Sequence, residues 1–378
     1  MTTIMLPDEA IDSDQNETYE TESEHLDSPS SRDMGGNPQR TKRFGAKNAA
    51  LLLLFIVLLI GAYFRFTGLN WDDTYHLHPD ERFLTDTSSL LRLTDPITYL
   101  KTSDSPLNPY NVGKSFYVYG NFPMSVTRLA AEWSDEVCQL LGERCQYRFV
   151  FYDGIQYVGR FLSALVDLIS IVFTFLIGRR LYDWRTGILA ALLMSLAVLP
   201  IQQSHFYTMD NWAAAATVIA MYAAVLASEN GKKIRWWVLF GIMLGLALAS
   251  RINLAPLALM AVVAAFIWLA RRSSESNPEL GWRYALTPNG KRDILNIVVG
   301  VSIAALLSVI TFRLAQPYAF SDTQIVRETS LAETGEIPNP LILAAKSIVG
   351  LNPQWLANME EIQTLQSPDA TFPPALQW

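Results

Sequence analysis

Long uncharged apolar runs constrain this chain more than any other feature. Residues 49–64 carry no charge, and extension to Phe66 approaches the ~20 residues that cross a bilayer core. Six further apolar stretches follow at 157–178, 187–204, 212–228, 236–250, 254–270 and 294–312, and only the first of them contains charged residues. Because lipid cannot satisfy backbone hydrogen bonds, such runs must be helical. The sequence therefore predicts an all-α integral membrane protein, a polytopic bundle of about seven transmembrane helices.

Residues 236–270 leave two interpretations open, because this segment is short for two spans. It forms either one long kinked helix or two short helices. Arg251, Asn253 and Pro256 mark a plausible turn in its middle. Basic residues flank both ends, which favours a return to the same membrane side. We therefore predict two helices.

Basic residues predict the orientation, since clusters of Lys and Arg next to a span normally stay in the cytoplasm. They precede the first span, follow the second and the fourth, and lie between the sixth and the seventh. These residues are Arg40, Lys42, Arg43, Lys47, Arg179, Arg180, Arg185, Lys232, Lys233, Arg235, Arg271, Arg272, Lys291 and Arg292. The pattern predicts a multi-pass protein of the plasma (inner) membrane with a cytoplasmic N-terminus. Because the basic residues follow this rule, nucleic acid is not an expected partner.

Composition agrees with a bilayer, since 50% of the residues are hydrophobic and only 17% are charged. Soluble domains have about 25% charged residues. The net charge of -7 comes largely from residues 1–44, where acidic residues crowd together and apolar ones are scarce. Too little apolar surface exists there to offset chain entropy, so we predict a disordered acidic cytoplasmic tail.

The segment between the first two spans, residues 67–156, is a large extracytoplasmic loop. Apolar residues recur at helical spacing over 125–141, which predicts amphipathic helices on the membrane surface. Cys138 and Cys145, the only cysteines, both lie in this loop. They form either a disulfide or two free thiols.

Residues 45–316 contain all the predicted spans and form the membrane domain. Residues 317–378 are polar and proline-rich, which predicts an extracytoplasmic segment. The chain stops at PPALQW with no closing motif, so either the protein is truncated or its remaining helices lie elsewhere.

Charged and aromatic residues accumulate directly after the first span, in the sequence HLHPDERF at 76–83. Asp80 and Glu81 are adjacent carboxylates, so one of them could keep its proton to higher pH and act as a base. Alternatively, their oxygens hold a hard cation. A purely structural role is also open, with Asp80 capping a helix over 81–93. His76 and His78 lack further ligands at zinc-site spacing.

A second polar cluster at 202–211 belongs to the same membrane face. It contains His205, Tyr207 and Asp210, and Asp210 could equally cap the following helix. Arg160 and Arg251 lie at outer helix ends, where they either bind phosphate or extend towards lipid headgroups. Asp167 lies deeper, and an intramembrane carboxylate normally faces the protein interior.

Taken together, these segments resemble the GT-C superfamily, in particular bacterial phospholipid-carrier-dependent glycosyltransferases similar to protein O-mannosyltransferases and aminoarabinose lipid A transferases. The resemblance covers roughly residues 45–316. It rests on FRFTGLNWDD and HLHPDERF within 64–83, YVYGNFP at 117–123, VGRFLSALVDL at 158–168, GRRLYDWRTGILAALLMS at 178–195 and SHFYTMDN at 204–211.

The resemblance implies transfer of a sugar from a polyprenyl-phosphate donor to a protein, glycan or lipid acceptor on the extracytoplasmic face. It places the catalytic base at Asp80, beside Glu81, and Arg160 beside the carrier phosphate. The substrate-binding residues it implies are His78, Arg160, His205, Tyr207, Asp210 and Arg251. A Mg or Mn ion held by Asp80 and Asp210 is one option, and transfer without a metal is the other.

Two other classes stay open on the sequence. A transporter or flippase-like protein would use Asp167 and Asp210 along an ion path, but no repeat with broken helices at matching positions is evident. A non-catalytic GT-C-like scaffold would keep the fold without turnover, and the intact Asp80–Glu81 pair argues against it.

Overall fold

The computed structural model describes residues 45–142, 148–276 and 278–365. The predicted disordered tail and Cys145 lie outside these residues. Cys138 is disulfide-bonded.

The described part of the chain is helical and has no strand beyond a single bridge between Phe320 and Leu351. This confirms the predicted all-α class. The helices are α1 (Ala46–Phe66), α2 (Pro79–Leu90), α3 (Pro96–Tyr99), α4 (Asn121–Leu140), α5 (Tyr152–Leu181), α6 (Trp184–Leu196), α7 (Val198–Ser204), α8 (Asp210–Glu229), α9 (Ile234–Ser250), α10 (Leu259–Ser276), α11 (Pro288–Ala315), α12 (Thr323–Thr334), α13 (Pro340–Val349) and α14 (Pro353–Leu365). Short 3-10 turns cover Pro109–Val112, Ile252–Ala258, Pro278–Leu286 and Pro317–Ala319.

All seven predicted apolar stretches lie in helices, but they differ in length. Five helical segments in the described residues are long and apolar enough to cross a bilayer, and the bent pair α6–α7 makes a sixth. The remaining stretch is α9, an apolar helix of 17 residues. We call the face that carries the segment between α1 and α5 the outer face.

The segment 236–270 forms two helices, as predicted. α9 ends at Ser250, and a 3-10 turn containing Pro256 precedes α10. The predicted third span, in contrast, is not straight. It bends by 55° between α6 and α7 at Ala197. Pro200 in the first turn of α7 has no N–H to continue the helical ladder, which accounts for the break.

The α8–α11 half of the bundle is held by small residues at helix contacts. A side chain at Gly241 would lie 2.3 Å from the Ala304 carbonyl oxygen, and one at Gly245 would lie 2.7 Å from that of Ser308. These glycines are four residues apart, so α9 and α11 approach backbone to backbone, as in small-xxx-small membrane contacts. α9 also packs extensively against α8.

A buried ion pair fixes the other half of the bundle. Arg65 at the end of α1 donates from Nε to Asp167 of α5 at 2.5 Å. Three of its other N–H groups donate to the carbonyl oxygens of Gly61, Met194 and Ser195. Arg65 therefore joins α1, α5 and α6 at one point, and Asp167 faces the interior as predicted.

The outer loop is folded against the bundle rather than lying loose. The predicted amphipathic segment is α4, and Met124 packs with Leu84 of α2 and Tyr207 in one buried cluster. α14 joins this layer, because Asn358 donates to the Tyr110 hydroxyl and to the carbonyl oxygens of Ser115 and Tyr117. The C-terminal segment thereby covers part of the outer loop.

We predict that Asp167→Ala lowers the free energy of unfolding by about 3 kcal/mol, because it leaves the Arg65 guanidinium buried without its counter-charge. The double variant Arg65→Met/Asp167→Leu should recover most of this loss, since replacing a whole buried pair with apolar side chains is often neutral. Thermal unfolding in detergent measures both. Wild-type stability of the single variant would contradict the role assigned to this pair.

Candidate active site

Arg160 on α5 is the most heavily engaged side chain near the outer face. Its Nε and Nη2 donate to the two carboxylate oxygens of Glu81, each at 2.7 Å. Its Nη1 and Nη2 donate to Asp72 at 3.0 and 2.8 Å, and Nη1 also donates to the Leu69 carbonyl oxygen. A guanidinium has five N–H donors, and all five are used here.

This network changes two of the predicted roles. Arg160 and Glu81 are both completely buried, and Glu81 also accepts the backbone N–H of Tyr207 at 2.8 Å. Arg160 therefore has no N–H left for a carrier phosphate, and Glu81 has no open path to an acceptor. The structure does not support Arg160 as a phosphate ligand or Glu81 as a base.

The same network holds a strained stretch of backbone. Asp73, Thr74 and His76 adopt positive φ angles of 48°, 68° and 49°, which are costly for residues other than glycine. Asp72 at its start is bound by Arg160, whose hydrogen bond and charge hold the pKa of that carboxyl below its usual value although burial alone would raise it. The ion pairs thus fix the backbone that leads from α1 to α2.

His78, rather than Asp80, caps α2. The His78 Nδ1 accepts the backbone N–H of Glu81, and Pro79 occupies the first helical turn. The helix runs from Pro79 to Leu90, so the expected helix over 81–93 with an Asp80 cap is wrong. The His78 ring lies 4.2 Å from that of Phe206, centroid to centroid. Asp80 is half-buried, and its carboxylate does not cap the helix.

His205 and Tyr207 connect the second polar cluster to the fold. The two ring nitrogens of His205 lie 2.8 and 2.9 Å from the carbonyl oxygens of Ile201 and Thr67. Tyr207 is fully buried, and its hydroxyl shares a hydrogen bond with Ser88 at 2.8 Å. Tyr207 is not accessible to a substrate, so its predicted binding role is not supported.

Asp80 lies next to Tyr119, a residue that the sequence alone did not identify as part of the site. Its carboxylate interacts with the hydroxyl of Tyr119 in the segment before α4. Burial raises the pKa of Tyr119, and the nearby Asp80 charge raises it further, so the phenol stays protonated. Tyr119 and the following Gly120 both belong to the motif YVYGNFP. Gly120 is required there, because a side chain would lie 2.1 Å from the Ala249 carbonyl oxygen at the end of α9.

This close approach brings a second pair next to Tyr119. Arg251, directly after α9, donates from Nη2 to Asp210 at the start of α8 at 2.7 Å. The side chains of Arg251 and Asp210 are 36% and 34% exposed, unlike the buried Arg160 pairs. The charges of Asp80 and Asp210 raise the pKa of Tyr119, and the charge of Arg251 lowers it. Asp80, Tyr119, Asp210 and Arg251 therefore form one polar cluster.

A groove of about 500 Å³ opens beside this cluster. Arg251 is the charged residue in its lining, which is otherwise mostly apolar. The lining residues are Val118, Arg251, Ile252, Asn253, Trp355, Met359, Ile362 and Gln363. The groove therefore lies between the outer loop, the end of α9 and α14, with a cation at one side. This is the shape and lining expected for a ligand with a negative group and an apolar tail.

The predicted metal ligands do not form a convincing metal site. Within residues 45–142, 148–276 and 278–365, no three His, Cys, Asp or Glu side chains come together to hold an ion. Asp210 already has Arg251 as its counter-charge. Mg or Mn bound by Asp80 and Asp210 is therefore not supported by the donor set.

We predict that Arg160→Lys destabilises the outer loop, because a lysine cannot reproduce the forked contacts to Glu81 and Asp72. The free energy of unfolding should fall by about 2 kcal/mol, from the loss of several charged hydrogen bonds. Arg82→Lys, an exposed change on α2, is the matched control. Limited proteolysis and thermal unfolding measure the effect. Unchanged stability with weakened donor binding would instead place Arg160 at the phosphate.

Comparison with known proteins finds a family model that matches part of the chain. Residues 150–287 match the model for dolichyl-phosphate-mannose-protein mannosyltransferases. Among solved structures, the chain is similar to the oligosaccharyltransferase of Archaeoglobus fulgidus in its apo form, at 16% identity and a TM-score of 0.41. That match covers 87% of this chain and 40% of the other, so this chain spans less than half of that protein. No curated protein sequence matches.

The family match includes three of the motifs that suggested the resemblance, at 158–168, 178–195 and 204–211, and it excludes those around Asp80 and Tyr119. Together with the apolar helices, it confirms the predicted resemblance to membrane glycosyltransferases of the GT-C superfamily.

Proposed function

We propose that this chain transfers a sugar from a polyprenyl-phosphate donor to an acceptor hydroxyl at the outer face of the plasma (inner) membrane. The observation that carries the proposal is the cluster of Asp80, Tyr119 and the Asp210–Arg251 pair, of which Arg251 lines a largely apolar groove. The acceptor is a protein, a glycan or a lipid. Such a transfer requires a carboxylate as the base, a cation beside the phosphate and an apolar groove for the carrier chain.

Asp80 acts as the general base in this proposal. As the acceptor oxygen forms its bond to the anomeric carbon, the hydroxyl proton passes to the Asp80 carboxylate. Tyr119 keeps its own proton because burial and the Asp80 charge raise its pKa. It therefore donates a hydrogen bond that orients the carboxylate without competing for the acceptor proton. Asp80 has greater access than the neighbouring Glu81, which is fully buried.

Arg251 stabilises the leaving group. The bond between the anomeric carbon and the carrier phosphate breaks with its electron pair on the phosphate oxygen, so negative charge grows there. A guanidinium at the groove stabilises this charge, and its planar fork suits two phosphate oxygens. Asp210 holds Arg251 in place before the donor binds. Attack opposite to the departing phosphate inverts the anomeric configuration.

The apolar part of the groove accommodates the start of the polyprenyl chain. Ile252 follows α9, and Met359 and Ile362 belong to α14, so the groove has one wall from the bundle and one from the C-terminal segment. Burial of isoprenoid methyl groups against these side chains contributes about 25 cal/mol per Å² of apolar area.

An ion path, as in the transporter alternative, has little support in this arrangement. Asp167 is fully buried and paired with Arg65, and Asp210 is paired with Arg251. Both carboxylates that such a path would use are therefore neutralised by arginines.

Asp80→Asn should reduce transfer by at least about a hundredfold, the usual contribution of a general base. Asn is nearly isosteric, so the fold should persist. Asp104→Asn, which changes an exposed aspartate in the same loop, is the control and should keep wild-type turnover. The assay uses the full chain in lipid with radiolabelled polyprenyl-phosphate sugars and a membrane extract as the source of acceptors. Equal transfer by wild type and Asp80→Asn would remove Asp80 as the base.

Tyr119→Phe should lower kcat about fivefold, the effect of losing one hydrogen bond of about 1 kcal/mol. The KM for the donor should stay near the wild-type value, because the Arg251 pair is untouched. Steady-state kinetics with varied donor concentration separate the two parameters. A rise in KM at constant kcat would assign Tyr119 to donor binding instead.

A further inference from the structure

α12 and α13 form a hairpin that rises from the outer end of the last described span. α11 ends at Ala315, and the hairpin begins after Phe320. Its two ends are joined, because the Ser321 N–H donates to the Gly350 carbonyl oxygen and Phe320 pairs with Leu351. The base of the hairpin therefore lies within a few residues of a membrane-spanning helix.

The base is also fixed to the outer loop. Thr102 donates its hydroxyl to the Phe320 carbonyl oxygen at 2.7 Å. Asp322 accepts the backbone N–H of Ser103 at 2.7 Å while it caps α12. These contacts restrict movement of the hairpin relative to the outer loop.

The two helices of the hairpin differ in the polarity of their exposed side chains. The exposed side chains of α12 include Gln324, Arg327, Glu328 and Glu333, which suit water. α13 has the sequence PLILAAKSIV and contains no buried residue. Only Leu343 and Ser347 are partly covered along it.

The uncovered side of α13 is a continuous apolar face. Leu341, Ala345 and Ile348 follow one another at i, i+4 and i+7, and Ile342 and Val349 flank this row. Leu341, Ile348 and Val349 are 80%, 65% and 72% exposed. Lys346, the only charged residue of α13, lies at the border of this face, where a long side chain can reach headgroups.

The end of α11 next to the hairpin also has an exposed apolar surface. Leu306, Val309 and Leu314 are exposed along α11 up to its outer end. Arg313 then marks the boundary, since it donates to the Pro317 carbonyl oxygen and lies 4.7 Å from the centre of the Phe320 ring. A bilayer that covers α11 therefore reaches the base of the hairpin.

We propose that α13 lies in the outer leaflet as an interfacial helix, with its apolar face among lipid chains and α12 on the water side. At ten residues α13 is too short to cross the bilayer. Its exposed apolar side chains would be removed from water if the helix lay in the plane of the interface. Because α14 follows directly and supplies Met359 and Ile362 to the groove, this anchor fixes one groove wall relative to the membrane.

Site-directed spin labelling of the full chain in lipid nanodiscs tests the proposal. One variant, Ile348→Cys, places a nitroxide on the apolar face of α13, and Glu333→Cys places one on α12 as the control. Labelling without reductant preserves the disulfide of Cys138. Oxygen concentrates in lipid and a nickel chelate in water, so their relative collision rates report the surroundings of each label.

The proposal expects a ratio of oxygen to nickel accessibility several times higher at position 348 than at position 333. Equal ratios at the two positions, with high nickel accessibility, would show that α13 lies in water and would overturn the proposal. Low accessibility to both reagents at 348 would show a protein contact, with a second copy or another region, and would overturn it as well.

Discussion

The outer half of this protein depends on the burial of one guanidinium. Arg160 directs its five N–H groups to Glu81, Asp72 and the Leu69 carbonyl oxygen, and none of the three charged side chains reaches solvent. A buried charge is tolerated only when it is fully paired. The segment between α1 and α2 must therefore close over α5, and this closure sets the position of Asp80 at the start of α2.

The adjacent carboxylates Asp80 and Glu81 consequently have different tasks. Successive residues on a helix point about 100° apart, so one can face the interior while the other faces the site. Glu81 anchors the loop, whereas Asp80 stays half-buried beside Tyr119 and the Arg251 pair. The two arginines also differ in their roles. All N–H groups of Arg160 donate to groups inside the fold, whereas Arg251 lies in the wall of the groove.

The sequence predicted the helices well because the bilayer allows few alternatives. All seven apolar runs are helical, and the turn at Arg251 and Pro256 lies where expected. The bend at Ala197 was missed, although Pro200 was present in the sequence as a signal. The short α9 fits its place because Gly241 and Gly245 let it approach α11 closely, which is a property of packing rather than hydropathy.

The site was less predictable, since composition does not reveal which charges pair with each other. Asp80, Asp210 and Arg251 lie in one cluster, but the sequence could not show that Arg160, Glu81 and Tyr207 are buried. Tyr119 was overlooked because its contact depends on how closely Gly120 packs against the end of α9. A structure of the chain with a non-hydrolysable polyprenyl-phosphonate sugar bound would decide between the two arginines. The phosphonate should lie against Arg251 with the Arg160 pairs intact, whereas a phosphonate bound to Arg160 with its Glu81 pair broken would contradict this assignment.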